Sequence, residues 1–210
     1  MGMKNRLILA SKSPRRDEFL KQLGFDVEVV PSGVDEDFIQ KASSPLSRQA
    51  VKKHAVHLAE AKALEVGRRY PNRWIIAADT MVYIDGSILG QPKTSREAIG
   101  MLRRLSGREH WVFTGFSVQH REKGMGDREV VQTAVKMKTL TPREMEWYVR
   151  TGEPFDKAGG YAIQGIGSFM IESIRGSYTN VVGLPLFELI RMLIRLGAIT
   201  ISNFGFQIAD

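Results

Sequence analysis

The 210 residues contain no cysteine, which excludes disulfides, thiol nucleophiles and thiolate-held metals and fits a reducing compartment. No apolar stretch approaches the roughly 20 residues needed to span a bilayer. The opening Met-Gly-Met-Lys-Asn-Arg leads into a short apolar run rather than a secretory core, so the expectation is a cytoplasmic protein with no membrane partner. Neither G-x-x-x-x-G-K-[ST] nor a strand-following G-x-G-x-x-G is present, and P-loop, kinase and Rossmann readings fall away. The nucleophilic-serine pattern G-x-S-x-G and the zinc pattern H-E-x-x-H are missing too. Of the four histidines, His54 and His57 make an i, i+3 pair with no third ligand, and read more simply as helix-surface residues.

Charge is plentiful but dispersed. The net charge is +7, yet pairs such as Lys52-Lys53, Arg68-Arg69 and Arg103-Arg104 are scattered and form no basic run. The distribution argues against nucleic acid and fits a site that collects a polyanionic small molecule. With 43% hydrophobic residues the chain has material for a real core.

Short strands alternate with helices along the chain. Arg6 to Ala10 reads as a buried strand, Ser13 to Leu23 as a helix stopped by Gly24, and Phe25 to Pro31 as a second strand. A helix over Arg48 to Gly67 precedes a buried strand over Trp74 to Ala78, which meets Asp79-Thr80 at its end, and then a hairpin turning at Asp85-Gly86. Thr94 to Leu105 is helical; the alternating segments from His110 and from Arg128 should pair antiparallel. Thr141-Pro142 opens a helix to Arg150, and Leu184 to Leu196 forms a terminal one. The pattern predicts an α/β fold with a mixed sheet covered by helices, one domain over 1–198, and a tail over 199–210 that frays. On the terminal helix, Leu186, Leu189, Ile190 and Leu193 offer either core or a homodimer surface, with helical spacing favouring core.

Three constellations carry possible chemistry. In "ASKSPRR", the serine cap and proline at the first helical position are followed by Arg15 and Arg16, the wrong sign for a helix N-terminus. Either these are solvated arginines on a capped helix, or unpaired helix N–H groups, Ser11, Ser13 and two guanidiniums converge on an anion. Asp79 directly follows an apolar strand, where α/β sheets place catalytic groups, though a plain turn aspartate would look the same. Between Asp156 and Pro185, glycines crowd with Tyr161, Gln164, Ser177 and Asn180, as bulged β-structure or as a close-fitting pocket wall. Glu36, Lys62 and Lys93 complete a set suited to phosphate chemistry, in which cations neutralise phosphate and carboxylates hold a divalent metal or polarise water.

The blocks "LILASKSPRRDEFLKQLG", "AADTMVYIDGSILGQPKTSREAIGMLRRLSGREHWVFTG" and "DKAGGYAIQGIGSFMIESIRGSYTNVVGLPL" resemble, in order, the signature blocks of the Maf family of nucleoside triphosphate pyrophosphatases. The resemblance implies an elongated α/β fold like that of inosine triphosphate pyrophosphatases, with a long mixed sheet and a deep cleft between two lobes. It also implies hydrolysis of a nucleoside triphosphate to monophosphate and pyrophosphate with Mg²⁺ or Mn²⁺. Carried over by motif, Ser11, Arg15 and Arg16 bind phosphate, Asp79 accepts a proton from water, Lys62 is a functional lysine, and Glu36 with Asp79 holds the metal. Arg15, Thr80 and Gln164 match the specificity positions of the subgroup acting on dTTP and UTP, and an amide at Gln164 complements the N3–H and carbonyls of uracil or thymine. The alternatives within the resemblance are a 7-methyl-GTP pyrophosphatase, or a nucleotide-binding regulator of septum formation. One departure stands out: Gly90-Gln91-Pro92-Lys93 has glutamine where the family often has a functional lysine, and Lys93 is the expected substitute.

Overall fold

A computed structural model describes residues 7–34 and 45–200. Its elements are β1 (Leu7–Leu9), α1 (Pro14–Gln22), β2 (Val27–Val29), α2 (Arg48–Arg69), β3 (Ile75–Ile84), β4 (Ser87–Leu89), α3 (Ser95–Leu105), β5 (Glu109–His120), β6 (Met125–Met137), α4 (Pro142–Arg150), β7 (Ile171–Arg175), α5 (Tyr178–Val182) and α6 (Leu186–Arg195). Three 3₁₀ turns, at Glu153–Asp156, Ala158–Gly160 and Gly165–Met170, fill the stretch before β7. The expected α/β class with a mixed sheet flanked by helices is what the chain adopts.

Local chemistry explains the element ends. Thr141 and Glu144 form a reciprocal capping box behind Pro142 at the start of α4, while Ser47 and Thr94 cap α2 and α3 through their side chains. At the β3–β4 hairpin Asp85 has φ 50° and Gly86 φ 72°, the two left-handed residues that a tight turn of this kind needs.

Seven strands of the described residues form one sheet in the order β2-β1-β3-β5-β6-β7, with β4 on β3. The β2-β1-β3 side is parallel and the remainder antiparallel. One face is covered by α2, whose Val51, Ala55, Ala59, Ala63 and Val66 are fully buried. On the opposite face two clusters sit apart: α1 and α6 pack on Leu7, Leu9, Ile76, Phe116 and Val118, whereas α3 and α4 pack on Val82, Ile84, Val112 and Val135. A polar seam of Thr80, Thr114, Thr133 and Asn180 runs between them.

One sequence expectation changes. Asp79 and Thr80 lie inside β3, which runs on to Ile84, because β5 pairs with it from Ile75 to Tyr83 and keeps it extended. Leu189 and Leu193 of α6 are fully buried and Leu186 and Ile190 pack on the same cluster, so the stripe is core, the reading that helical spacing favoured. Ala198 and Ile199 are buried in that cluster as well; residues 201–210 lie outside the described residues.

The approach of α2 to the sheet depends on Gly115. A Cβ there would fall inside the backbone of Ala55 and Val56, a contact that side-chain rotation cannot relieve. Gly115→Ala should cost about 3 kcal/mol of stability, read as a lowered midpoint in thermal or urea unfolding.

Candidate active site

The sheet has an opening in its ladder. On one edge of β3, β1 pairs with Ile75 and Ile76, and β4 pairs with Val82 to Ile84. Among the described residues no strand pairs with the stretch between, and Asp79 and Thr80 sit in its middle. Side chains alternate along a strand, so Asp79 faces α2 while Thr80 faces the opposite layer, and a cleft at this edge reaches both. That cleft has a volume of about 720 Å³ and is lined by Ser11, Arg15, Arg16, Lys62, Asp79, Thr80 and Gln164, among others. Seven of the nine residues expected to form the site are therefore brought together.

Arg16 spans the opening. Its Nε donates to the Gly183 carbonyl at 2.7 Å, Nη1 to the Ala78 carbonyl at 2.8 Å and to Ser11 Oγ at 2.9 Å, and Nη2 to Thr80 Oγ1 at 3.0 Å. It is 9% exposed. The guanidinium thus joins α1, β3 and the segment before α6, and supplies to Ala78 the donor that a neighbouring strand would have supplied. This refines the expected phosphate-binding role: Arg16 builds the cleft floor with most of its donors and brings positive charge to it. Ser11 is held in the same network, and the Ser13 N–H donates to its Oγ at 3.2 Å. Ser13, at the N-cap of α1, makes no side-chain cap, so the first turn of α1 opens on the cleft with its positive end uncapped by the expected hydroxyl.

On the α2 side, Lys62 Nζ donates to Asp79 Oδ1 at 2.7 Å, with both side chains nearly buried. Gly115 is the register partner of Asp79 on β5. Without a side chain at Gly115, and with Ala55, Ala59 and Ala63 on the helix, α2 lies close enough for Lys62 to meet the carboxylate. A carboxylate oriented by an ammonium at a cleft floor is a group that can take a proton from a bound water.

The far wall comes from the glycine-rich stretch. Glu153 accepts from the Ile166 and Gly167 N–H groups and so fixes the turn that follows Gln164. Gln164 lines the cleft, and its amide makes no hydrogen bond among the described residues. Tyr161, also in the wall, is anchored from behind: its hydroxyl lies 2.6 Å from Nε2 of His110, which is fully buried. Ser177 and Asn180, from the same crowded stretch, do structural work. Ser177 caps α5, and Asn180 Nδ2 donates to the Val112 carbonyl and to Thr133.

Of the other two expected residues, one lies away from the cleft and the other falls outside the described residues. Lys93 is exposed beside the N-terminus of α3, where its N–H donates to the Glu97 carboxylate at 2.8 Å, and it does not line the cleft. Pro92 is buried and Thr94 caps the helix, so the structure places Lys93 outside the cleft lining that Gln91 belongs to. Glu36 lies outside the described residues. Sequence reasoning in turn passed over Lys157 and Asp156, which line the cleft and stood in the quoted glycine-rich block. It also passed over Gly115, whose role depends on contact between distant segments.

A cleft that sets helix N–H groups, several cations and a buried carboxylate around one space defines a protein that handles phosphorylated small molecules. Residues 6–196 match the family described as Maf-like protein, and the chain belongs to that family. It is 47% identical over 198 residues to a dTTP/UTP pyrophosphatase of Syntrophus aciditrophicus (strain SB), covering 94% of this chain and 93% of the relative. Proteins of the same name from Geotalea uraniireducens (strain Rf4) and Pyrococcus abyssi (strain GE5 / Orsay) are 47% and 48% identical, covering 95% and 91% of this chain and 99% and 96% of theirs. Among solved structures, a HAM1 protein from Coxiella burnetii is similar at a TM-score of 0.39 and 13% identity, over 63% of this chain and 72% of that one.

Two outcomes follow from this geometry. Arg16→Lys keeps the charge but loses the planar fork, so it should cost about 3 kcal/mol of stability, seen as a lower unfolding midpoint. Burial pulls the His110 imidazole down to about 4 from 6.5, so the unfolded chain binds the extra proton between these values. Stability should therefore be at its full value above pH 6.5 and fall with pH until the loss, about 3 kcal/mol, is complete near pH 4. Urea unfolding across that range should show a shallower slope in His110→Phe.

Proposed function

We propose that this protein hydrolyses dTTP and UTP to the monophosphate and pyrophosphate. The observation that carries the reading is the Lys62–Asp79 pair at the floor of a cleft with a cationic, helix-N-terminal wall. The relatives' shared name supports it. The triphosphate lies against the α1 N-terminus and the arginines, where backbone N–H groups and guanidiniums favour bound phosphate. Asp79 takes the proton of a water as its oxygen attacks phosphorus, and pyrophosphate leaves with the bridging oxygen. Lys62 holds the carboxylate in position. Gln164 reads the base: its amide gives one donor and one acceptor to the imide edge of a pyrimidine, and a mismatched edge leaves polar atoms buried and unpaired.

The donor chemistry fits a divalent cation. Mg²⁺ takes oxygen ligands and commonly uses one or two carboxylates together with substrate phosphates. Among the described residues no group of three or more acidic or histidine side chains gathers, while Asp79 stands where phosphates would lie. Asp79, with Glu36 as the second carboxylate, would hold Mg²⁺ or Mn²⁺ that arrives with the nucleotide. When bound, the ion supplies neutralisation of phosphate charge. No helix of the described residues is long and apolar enough to cross a membrane, and a cysteine-free chain with a nucleotide substrate favours the cytoplasm as its place of action.

Purified protein with Mg²⁺ or Mn²⁺ should release pyrophosphate from dTTP and UTP well ahead of CTP, GTP and 7-methyl-GTP. Asp79→Asn should lower kcat by roughly a hundredfold or more. Gln164→Leu should raise KM for dTTP and UTP and narrow their lead over CTP. Preference for the methylated purine would overturn the role of Gln164 in choosing a pyrimidine.

A further inference from the structure

The cleft mouth carries a cation pair bridged by a carboxylate. Lys157 lies between the first two 3₁₀ turns with its side chain 14% exposed. Its ammonium donates to the Glu153 carbonyl at 2.8 Å and to Asp156 Oδ1. The other oxygen of the same carboxylate, Oδ2, accepts from Arg15 Nη1 of α1 at 3.1 Å. Arg15 and Lys157 stand on opposite walls, so the carboxylate joins the walls with one oxygen on each cation.

The backbone here is pinned independently of that carboxylate. Gln91 Nε2 donates to the Asp156 carbonyl at 3.2 Å, the Lys157 N–H donates to the Pro154 carbonyl at 3.2 Å, and the Gly160 N–H to the Lys157 carbonyl at 3.0 Å. Among the described residues the Asp156 carboxylate itself touches only the two cations and is 62% exposed. It is therefore a charge on a short rotating arm over a fixed frame. Burial raises its pKa, but the Lys157 hydrogen bond and charge, then those of Arg15, outweigh this and hold it below the usual range. Gln91 thus serves as a strut for the segment that carries Lys157, and both residues line the cleft.

Carboxylate and phosphate offer the same kind of paired anionic oxygens to guanidinium and ammonium groups. We propose that Lys157 and Arg15 form a two-cation clamp for the pyrophosphate end of the substrate, and that Asp156 is the internal carboxylate that this end displaces. The inference rests on the reading of the cleft as a nucleotide site. A pyrophosphate group brings more charge than one carboxylate and takes the clamp. Return of Asp156 to the cations then competes the product away. A monophosphate, with less charge, displaces Asp156 poorly.

The test is titration calorimetry of the full chain with inorganic pyrophosphate and, separately, orthophosphate. Asp156→Asn should bind pyrophosphate roughly three- to fivefold more tightly, the size expected for loss of an exposed competing ion pair. Lys157→Gln should bind it roughly tenfold more weakly and Lys157→Arg should restore binding. In the double variant Asp156→Asn/Lys157→Gln the gain from the first change should shrink, because its target cation is gone. Thermal melts identify any variant that fails to fold, and Asp156→Ala then replaces Asp156→Asn. Unchanged or weaker pyrophosphate binding in folded Asp156→Asn, or wild-type affinity in Lys157→Gln, would overturn the proposal. Because the readout is anion binding, failure to turn over dTTP and UTP would sink the proposed function without deciding this one.

Discussion

One guanidinium holds the site open. A β-strand that loses its neighbour over several residues leaves backbone groups without partners, and in a buried setting each costs on the order of 1–3 kcal/mol. Arg16 meets that constraint at Ala78 and at the same time ties down Gly183, Ser11 and Thr80. The opening between β1 and β4 is therefore a built feature of the sheet. Because the bridging group is cationic, the same contacts that stabilise the opening give it affinity for anions.

The opening also lets two layers act on one ligand. In an uninterrupted sheet, Asp79 and Thr80 would address spaces separated by the sheet itself. At an exposed strand edge the separation is lost, and Lys62 on α2 and Arg16 on α1 flank the same cleft. The close seat of α2 is what brings Lys62 to Asp79, and Gly115 makes that seat available. A glycine that does not line the cleft thus sets the distance between Lys62 and Asp79.

Legibility in the sequence followed the range of the interactions. Capped helices such as α4 and the Asp85-Gly86 hairpin were readable because their signals are local: a hydroxyl, a proline, a left-handed turn. The odd sign of Arg15 and Arg16 correctly marked α1 as special, yet only the fold shows that Arg16 spends its donors on protein carbonyls and hydroxyls. The continuation of β3 through Asp79 was hidden because a charged residue breaks an apolar run, while the pairing that keeps the strand going comes from β5. Lys93 was expected in the cleft, where the structure has Lys157 instead, for a related reason. Proximity to Gln91 in sequence favoured the first, but a buried proline and a helix cap turn it outward, whereas a segment more than sixty residues away brings the second beside Gln91.

The ion pairs of the cleft grade from fixed to exchangeable. Deep in the cleft, Lys62 and Asp79 are nearly buried, and separating such a pair leaves an uncompensated charge at a cost of several kcal/mol. At the mouth, Asp156 is mostly exposed, and water screens what it gains from Arg15 and Lys157. Rearranging the outer set is cheap and rearranging the inner one is not. Such a gradient suits a hydrolase, since the group that handles the proton must keep its geometry through every turnover while the groups that hold the leaving polyanion must let it go. Placing the rigid pair on a long helix against the sheet, and the exchangeable one on 3₁₀ turns at the rim, assigns each requirement to the kind of backbone that can meet it.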